Sequence, residues 1–286
     1  MSKAFNEGVM AQVQLSEAAD GQRAYAALRT AVPRLSALIR SIKRPATPAL
    51  GEWNVGEVAV HLAHVWETLP ALASGERESP LQHVDELSGL TTSLVRSETR
   101  PDLAGVADRI DAAAAAFLAT ATTRSSDSTT PWLVEGIQAS TSTFACHLLN
   151  ESLIHGYDIA RAERAHWVIP SAHAALALTG FMFPMAGRLD ARAMVNQEKA
   201  AGVRACYEIR IRRFGRVFLS FDDGAMRIEP VAPARVDCHV SADPAALFLV
   251  MWGRVDQWSE ILRGRLLAWG RKPWLGPRLR TMVRNP

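Results

Sequence analysis

Val203-Arg-Ala-Cys-Tyr-Glu-Ile-Arg-Ile-Arg212 is where the chain changes its period. Val203, Ala205, Tyr207, Ile209 and Ile211 alternate with Arg204, Cys206, Glu208, Arg210 and Arg212, and Val217, Leu219 and Phe221 continue the two-residue repeat. Successive side chains of a strand point to opposite faces, so this alternation predicts strands of a half-buried sheet. Asp222-Asp223-Gly224 follows as a hairpin turn, in which glycine takes the positive φ that such turns need. Val236 to Val240 reads as a further strand and Leu266 to Trp269 as the last one. Asp243-Pro244 caps a short helix through Met251, and Pro273 opens a C-terminal helix.

Upstream of this run the spacing is helical. Ala24, Leu28, Val32, Leu35 and Leu38 predict a helix over 17–43, ended by Pro45 and Pro48. Asn54 is a good N-cap for a second helix through Val55, Val58, Leu62, Val65 and Leu69, with Gly75 and Pro80 at its exit. A short helix near 85–97 is open to either reading. Pro101 and Asp102 open an alanine-rich helix to about Thr122, and Arg124 to Pro131 is a polar loop by composition. A fourth long helix covers about Thr141 to Arg164. A fifth covers 171–195, bent by Gly180 and Pro184. The fold class is therefore α+β. A helical bundle over 1–200 precedes a small α+β domain over 201–286, with the change near Gln197–Gly202.

Composition narrows the function. With 48% hydrophobic and 21% charged residues, the 286-residue chain has ordinary globular usage and enough length for a sizeable core. No apolar run approaches the roughly 20 residues of a membrane span, and Met1 to Leu15 lacks the long apolar core of a secretory signal. The three cysteines, Cys146, Cys206 and Cys238, form no C-x-x-C pair. That argues against a disulfide scaffold or an all-cysteine zinc site and makes a reducing cytoplasm the default location. The net charge of +3 is uneven: residues 201–286 hold 15 basic and 8 acidic side chains. These arginines are scattered and no DNA-binding motif accompanies them, so a solvated surface is preferred to a nucleic-acid partner.

The histidines carry the chemistry. His147, Glu151 and His155 recur at i, i+4 and i+8, along one stripe of the fourth long helix. Leu148, Ile154 and Ile159 flank the stripe, which turns it toward the bundle interior. A carboxylate there is costly unless paired or coordinated, and a divalent metal supplies the compensation. Glu-x-x-x-His places two ligands one turn apart, and His61 or His64 on the second helix would give the third. Three protein ligands and one open position describe a catalytic zinc site, although nickel, manganese and iron suit the same donors. Against this stands the plainer reading of a surface Glu–His pair and a satisfied core histidine. His147 as a ligand would compete with His155. Asp158, three residues on, is placed to orient an imidazole or is a solvated acid at the helix end. Cys146 reads as a buried structural thiol.

Trp53 followed eight residues later by His61-Leu-Ala, with Glu151-x-x-x-His155-x-x-Asp158, resembles the mycothiol-dependent maleylpyruvate isomerase family. Val240-Ser-Ala-Asp-Pro-Ala-Ala-Leu247 and Trp252-Gly-Arg254 are similar to its second domain. The resemblance implies a DinB-like up-down four-helix bundle plus an extra helix, then a sterol-carrier-like domain with a mainly antiparallel sheet. It implies His61, Glu151 and His155 as metal ligands, zinc first among the metals, and mycothiol as the thiol cosubstrate. It also implies a small electrophilic substrate and, more loosely, a catalytic role for Arg254 toward a substrate carboxylate across the domain cleft. The chemistry implied is thiolate addition to the double bond of a cis-enoic diacid, rotation, and elimination to the trans product. Arg161, Arg188 and Arg192 are candidates for an acidic conjugate, or simply solvated helix faces. The expected form is a monomer or homodimer without membrane or nucleic-acid partners. Three classes stay open: a thiol-dependent isomerase or transferase, a metal-dependent hydrolase on the same bundle, and a small-ligand binding protein.

Overall fold

Asn54 and Glu57 close a reciprocal cap. The Glu57 N–H donates to Asn54 Oδ1 at 3.0 Å and the Asn54 N–H to Glu57 Oε2 at 2.7 Å. Two of the orphan donors that every helix start leaves are thereby satisfied, and helix α2 (Val55–Ser74) begins at the residue the sequence indicates. It ends at Gly75, whose φ of 80° is the left-handed conformation that glycine takes most easily. The structure is a computed structural model and describes residues 2–99, 101–123, 128–233 and 235–284, with side chains from residue 20 onward.

The chain divides into two units, Met1–Val168 and Ile169–Pro286. The first contains α1 (Ser2–Arg40), β1 (Pro48–Leu50), β2 (Trp53–Asn54), α2, α3 (Leu87–Ser97), α4 (Leu103–Ala121), β3 (Thr129–Pro131), β4 (Gln138–Ser140) and α5 (Thr141–Glu163). Helices α1, α2, α4 and α5 form a four-helix bundle, in which α1 and α2 each pack on both α4 and α5; α3 is the extra helix beside α2. The apolar stripes explain the packing. Ala24, Leu28, Val32, Leu35 and Leu38 of α1 are buried, as are Val55, Val58, Leu62 and Leu69 of α2. Helix α5 is buried on almost every face, because α1, α2, β1 and β4 all pack against it. Two short hairpins, β1–β2 and β3–β4, lead directly into α2 and α5.

The second unit contains α6 (Ser171–Ala177), a π-helical turn over Leu178–Met182, α7 (Phe183–Ala186) and α8 (Gln197–Ala200). Strands β5 (Arg204–Ile211), β6 (Gly215–Asp222), β7 (Ala225–Glu229), β8 (Cys238–Ala242) and β9 (Leu266–Gly270) form one sheet, with α9 (Pro244–Met251), α10 (Gln257–Leu262) and α11 (Leu275–Met282). The strand order is β7-β6-β5-β8-β9, antiparallel except for the parallel pair β5–β8. Tyr207 pairs with Leu219 and Cys238 in register, and its hydroxyl donates to the Leu275 carbonyl at 3.2 Å, tying β5 to α11. The β6–β7 turn lies where Asp222-Asp223-Gly224 indicates, with φ of 46° at Asp223 and 80° at Gly224.

The helical and mainly antiparallel architecture matches the expected α+β class. Some element bounds differ. Helix α1 begins at Ser2 rather than 17, in a segment rich in good helix formers. The helix expected over 171–195 stops at Ala186. Gly180 sits in the π turn, Pro184 starts a new short helix, and the Asp190 carboxylate then takes the Arg192 N–H in a turn at 2.8 Å. Of the loop expected over 124–131, residues 129–131 form β3, and 124–127 lie outside the described residues. The unit division precedes the change of period at 197–202 because α6 packs on α9 within the second unit.

Candidate metal centre

Helix α5 brings His147, Glu151 and His155 onto one buried stripe, and α2 presents His61 to it. His61 Nε2 lies 3.5 Å from Glu151 Oε2, and His155 Nε2 lies 3.3 Å from the same oxygen. One donor atom from each of His61, Glu151 and His155 falls within 4.8 Å of the others, and among the described residues this is the group arranged to hold one ion. The His61 and His155 rings meet edge to face at 4.8 Å between centroids, with Trp53 5.1 Å from His61 on the other side.

The donor set suits a divalent cation. Ligands at about 2.0–2.2 Å around a tetrahedral zinc stand roughly 3.3 Å apart, close to the two separations found here. All three side chains are buried, and a buried carboxylate among imidazoles offers donor atoms that could hold a cation. Burial acts most strongly on Glu151 and pushes its pKa up. Hydrogen bonds from His147, His155 and His61 outweigh it and hold the carboxyl well below the usual range. For His155, burial opposes the charged ring, yet Asp158 and Glu151 together raise it to about 9. His61 is lowered, chiefly by burial. The charge that draws a proton to His155 Nε2 would also attract a divalent cation, and the two would compete for one position.

The other sequence candidates fall into place around this core. Asp158 Oδ2 is 3.1 Å from His155 Nδ1 and the side chain is fully buried, so it is not a solvated helix-end acid. His64 turns to a different group: its Nε2 lies 3.3 Å from Glu98 and its Nδ1 3.7 Å from Glu67, with Arg109 completing the network. His147 Nε2 faces Glu151 Oε1 at 3.5 Å. Cys146 is buried and its thiol is pushed up by burial, as befits a structural thiol. Arg161 donates to the Ala49 carbonyl at 3.4 Å, and Arg192 to Gln197 at 2.8 Å. Arg254 belongs to the second unit, where its Nη1 donates to the Trp252 carbonyl at 2.8 Å. Two residues escaped the sequence reading. Trp132, just after β3, donates its indole N–H to His147 Nδ1 at 3.3 Å, and Asn150 donates to Glu151 Oε1 at 3.0 Å. Asn150 adjoins Glu151 on a buried helix, which was a usable signal; Trp132 is fifteen residues from His147 and gave none.

The comparisons with known proteins agree with this architecture. Residues 26–160 match the mycothiol maleylpyruvate isomerase N-terminal domain, and residues 187–270 match the SCP-2 sterol transfer family. A crystal structure of the mycothiol-dependent maleylpyruvate isomerase superposes with a TM-score of 0.53 at 13% identity, covering 87% of this chain and 92% of that one. A histidine-to-alanine mutant of that enzyme gives 0.51 at 13% identity with the same coverage. At this identity the likeness is one of fold. No curated protein matches the chain in sequence. The chain thus carries, in order, a region similar to the mycothiol maleylpyruvate isomerase N-terminal domain and a region similar to the SCP-2 sterol transfer family.

Proposed function

We propose that this protein is a metalloenzyme, zinc first among the candidate metals, that uses mycothiol to isomerise or conjugate a small electrophilic substrate. The observation that carries the reading is the convergence of His61 Nε2, Glu151 Oε2 and His155 Nε2 from two helices. A divalent cation held by these three supplies positive charge that favours the deprotonated form of an incoming thiol. The chain's own residues do the rest. Glu151 offsets part of that charge, Asp158 fixes the His155 ring, and the apolar neighbours on α2 and α5 keep bulk water from the cluster. The three cysteines are buried, which fits a nucleophile that arrives on a cosubstrate rather than on the protein. For a cis-enoic diacid, the thiolate adds to the double bond, the new single bond rotates, and expulsion of the same thiolate restores the cosubstrate and gives the trans product.

Arg254 is the candidate for a substrate carboxylate, and Arg254→Ala should raise KM for a diacid more than for a neutral electrophile. The test of the whole reading is incubation of metal-loaded protein with mycothiol and either maleylpyruvate or a chlorinated arene. Isomerisation without net thiol loss, or conjugate formation with thiol loss, supports it. Amide cleavage without any need for thiol would favour a hydrolase instead. Metal below about 0.2 per chain after loading, with neither chemistry, would favour a binding protein.

A further inference from the structure

His147 and His155 stand one turn on either side of Glu151, on the same stripe of α5, yet their rings are wired differently. The His155 Nδ1 faces the Asp158 carboxylate, which can only accept from it, so Nδ1 carries a proton. The His147 Nδ1 faces the indole N–H of Trp132 at 3.3 Å. An indole nitrogen is a donor and never an acceptor, so His147 Nδ1 presents a lone pair. The ring proton of His147 must then sit on Nε2, the atom that faces Glu151 Oε1 at 3.5 Å. Asn150 donates to that same oxygen at 3.0 Å. Both donors lie on the Oε1 side, and the other two imidazoles, His61 and His155, lie on the Oε2 side. Trp132 is itself held: its ring is buried, its backbone N–H donates to the Ile137 carbonyl at 2.8 Å, and its backbone carbonyl accepts from the Ser79 hydroxyl at 2.6 Å.

We propose that Trp132 fixes His147 as a hydrogen-bond donor rather than a ligand, and that His147 and Asn150 together hold Glu151 Oε1 so that Oε2 alone is offered between His61 and His155. Trp132, His147 and Asn150 are on this account positioning residues. They allow one carboxylate oxygen at the ion and leave the remaining coordination position to an incoming ligand. A bidentate carboxylate would take that position. The assignment of Oε2 as the donor rests on reading the site as a metal centre; the tautomer of His147 does not.

The test is a two-bond 1H–15N correlation spectrum of protein labelled with 15N-histidine, at pH 7.5, stripped of metal and then zinc-loaded. His147 is assigned by comparison with His147→Gln. The expected result is a pyrrole-type Nε2 and a pyridine-type Nδ1 for His147 in both states, while His61 and His155 shift on zinc addition. A pyridine-type or zinc-shifted Nε2 on His147 overturns the proposal. Competition with a chromophoric chelator supplies the second readout. His147→Leu and Trp132→Phe should weaken zinc binding about 10–100-fold, and His147→Gln, whose amide still donates, should stay within about 3-fold of wild type. Equal affinity for His147→Leu and wild type also overturns it. Wild-type protein that takes up no zinc defeats the metal reading, while the metal-free spectrum still decides the tautomer.

Discussion

His155 Nδ1 and Asp158 Oδ2 lie 3.1 Å apart, one helical turn from each other, with the Asp158 side chain wholly shielded from solvent. This contact pins the ring so that Nε2 points at Glu151, and it adds negative charge behind the imidazole. Asp158→Asn keeps the size and removes that charge. Its zinc affinity should fall about 10–100-fold in a chelator competition, with α-helical content unchanged by circular dichroism. Wild-type affinity in this variant would show that the contact is only structural.

His61 and His64 are neighbours on α2 that face different partners. On the proposed metal reading, His61→Ala or Glu151→Ala should abolish stoichiometric zinc by elemental analysis, because two remaining ligands would hold zinc poorly. His64→Ala should leave zinc content near wild type, since His64 sits among Glu67, Glu98 and Arg109. Equal loss from both histidine variants would place the wrong imidazole at the ion.

Glu208 on β5 is buried to 3% exposure and is contacted by Arg210 at 2.8 Å, by Arg216 at 3.2 Å and by His239. Burial pushes its carboxyl up, but the three hydrogen bonds prevail and hold it at about 2, against an ordinary 4.5. The folded state therefore prefers the ionised form. The stabilisation is complete above about pH 4.5 and is lost as pH falls from there toward 2. Its size is roughly 1–3 kcal/mol, since two of the partners are themselves solvated. Urea midpoints of the second unit should fall steeply across that window in wild type and more gently in Glu208→Gln.

Gly156, beside His155, lies against the indole of Trp167. A Cβ at this position would come 2.3 Å from the Trp167 ring, whose N–H donates to the Leu153 carbonyl at 3.1 Å. Gly156→Ala should destabilise the first unit by about 1–3 kcal/mol in urea unfolding, because either the helix or the indole must shift. Adding Trp167→Leu should recover part of that loss, and a double-mutant cycle with no coupling would contradict the close packing.

The sequence was most informative where a single physical rule acts alone. Ala24 to Leu38 and Val55 to Leu69 show the helix period because each stripe faces one core, and α1 and α2 follow. Asn54, Asp243 and the Asp223-Gly224 turn were legible because caps and left-handed turns accept few residue types. The His147–Glu151–His155 stripe was visible because i, i+4 spacing is a local property of α5. What stayed hidden depends on distant partners. Nothing in the spacing says that His64 would meet Glu98, or that Trp132 would reach His147 through a hairpin. The end of the helix expected over 171–195 was obscured for a different reason: Gly180 is accommodated in a π turn, whereas the Asp190 turn outcompetes helix continuation.

Cys146, Cys206 and Cys238 are reduced thiols outside any disulfide and all are buried, one inside the bundle and two in the sheet. Burial also raises the thiols of Cys146 and Cys238, the latter to about 11. A maleimide or iodoacetamide dye should therefore leave the native chain unstained and tag it only when a unit opens. The two sheet thiols then report loss of the second unit and the bundle thiol loss of the first, so that peptide mapping after a brief pulse reads the local opening of each half without any engineered label.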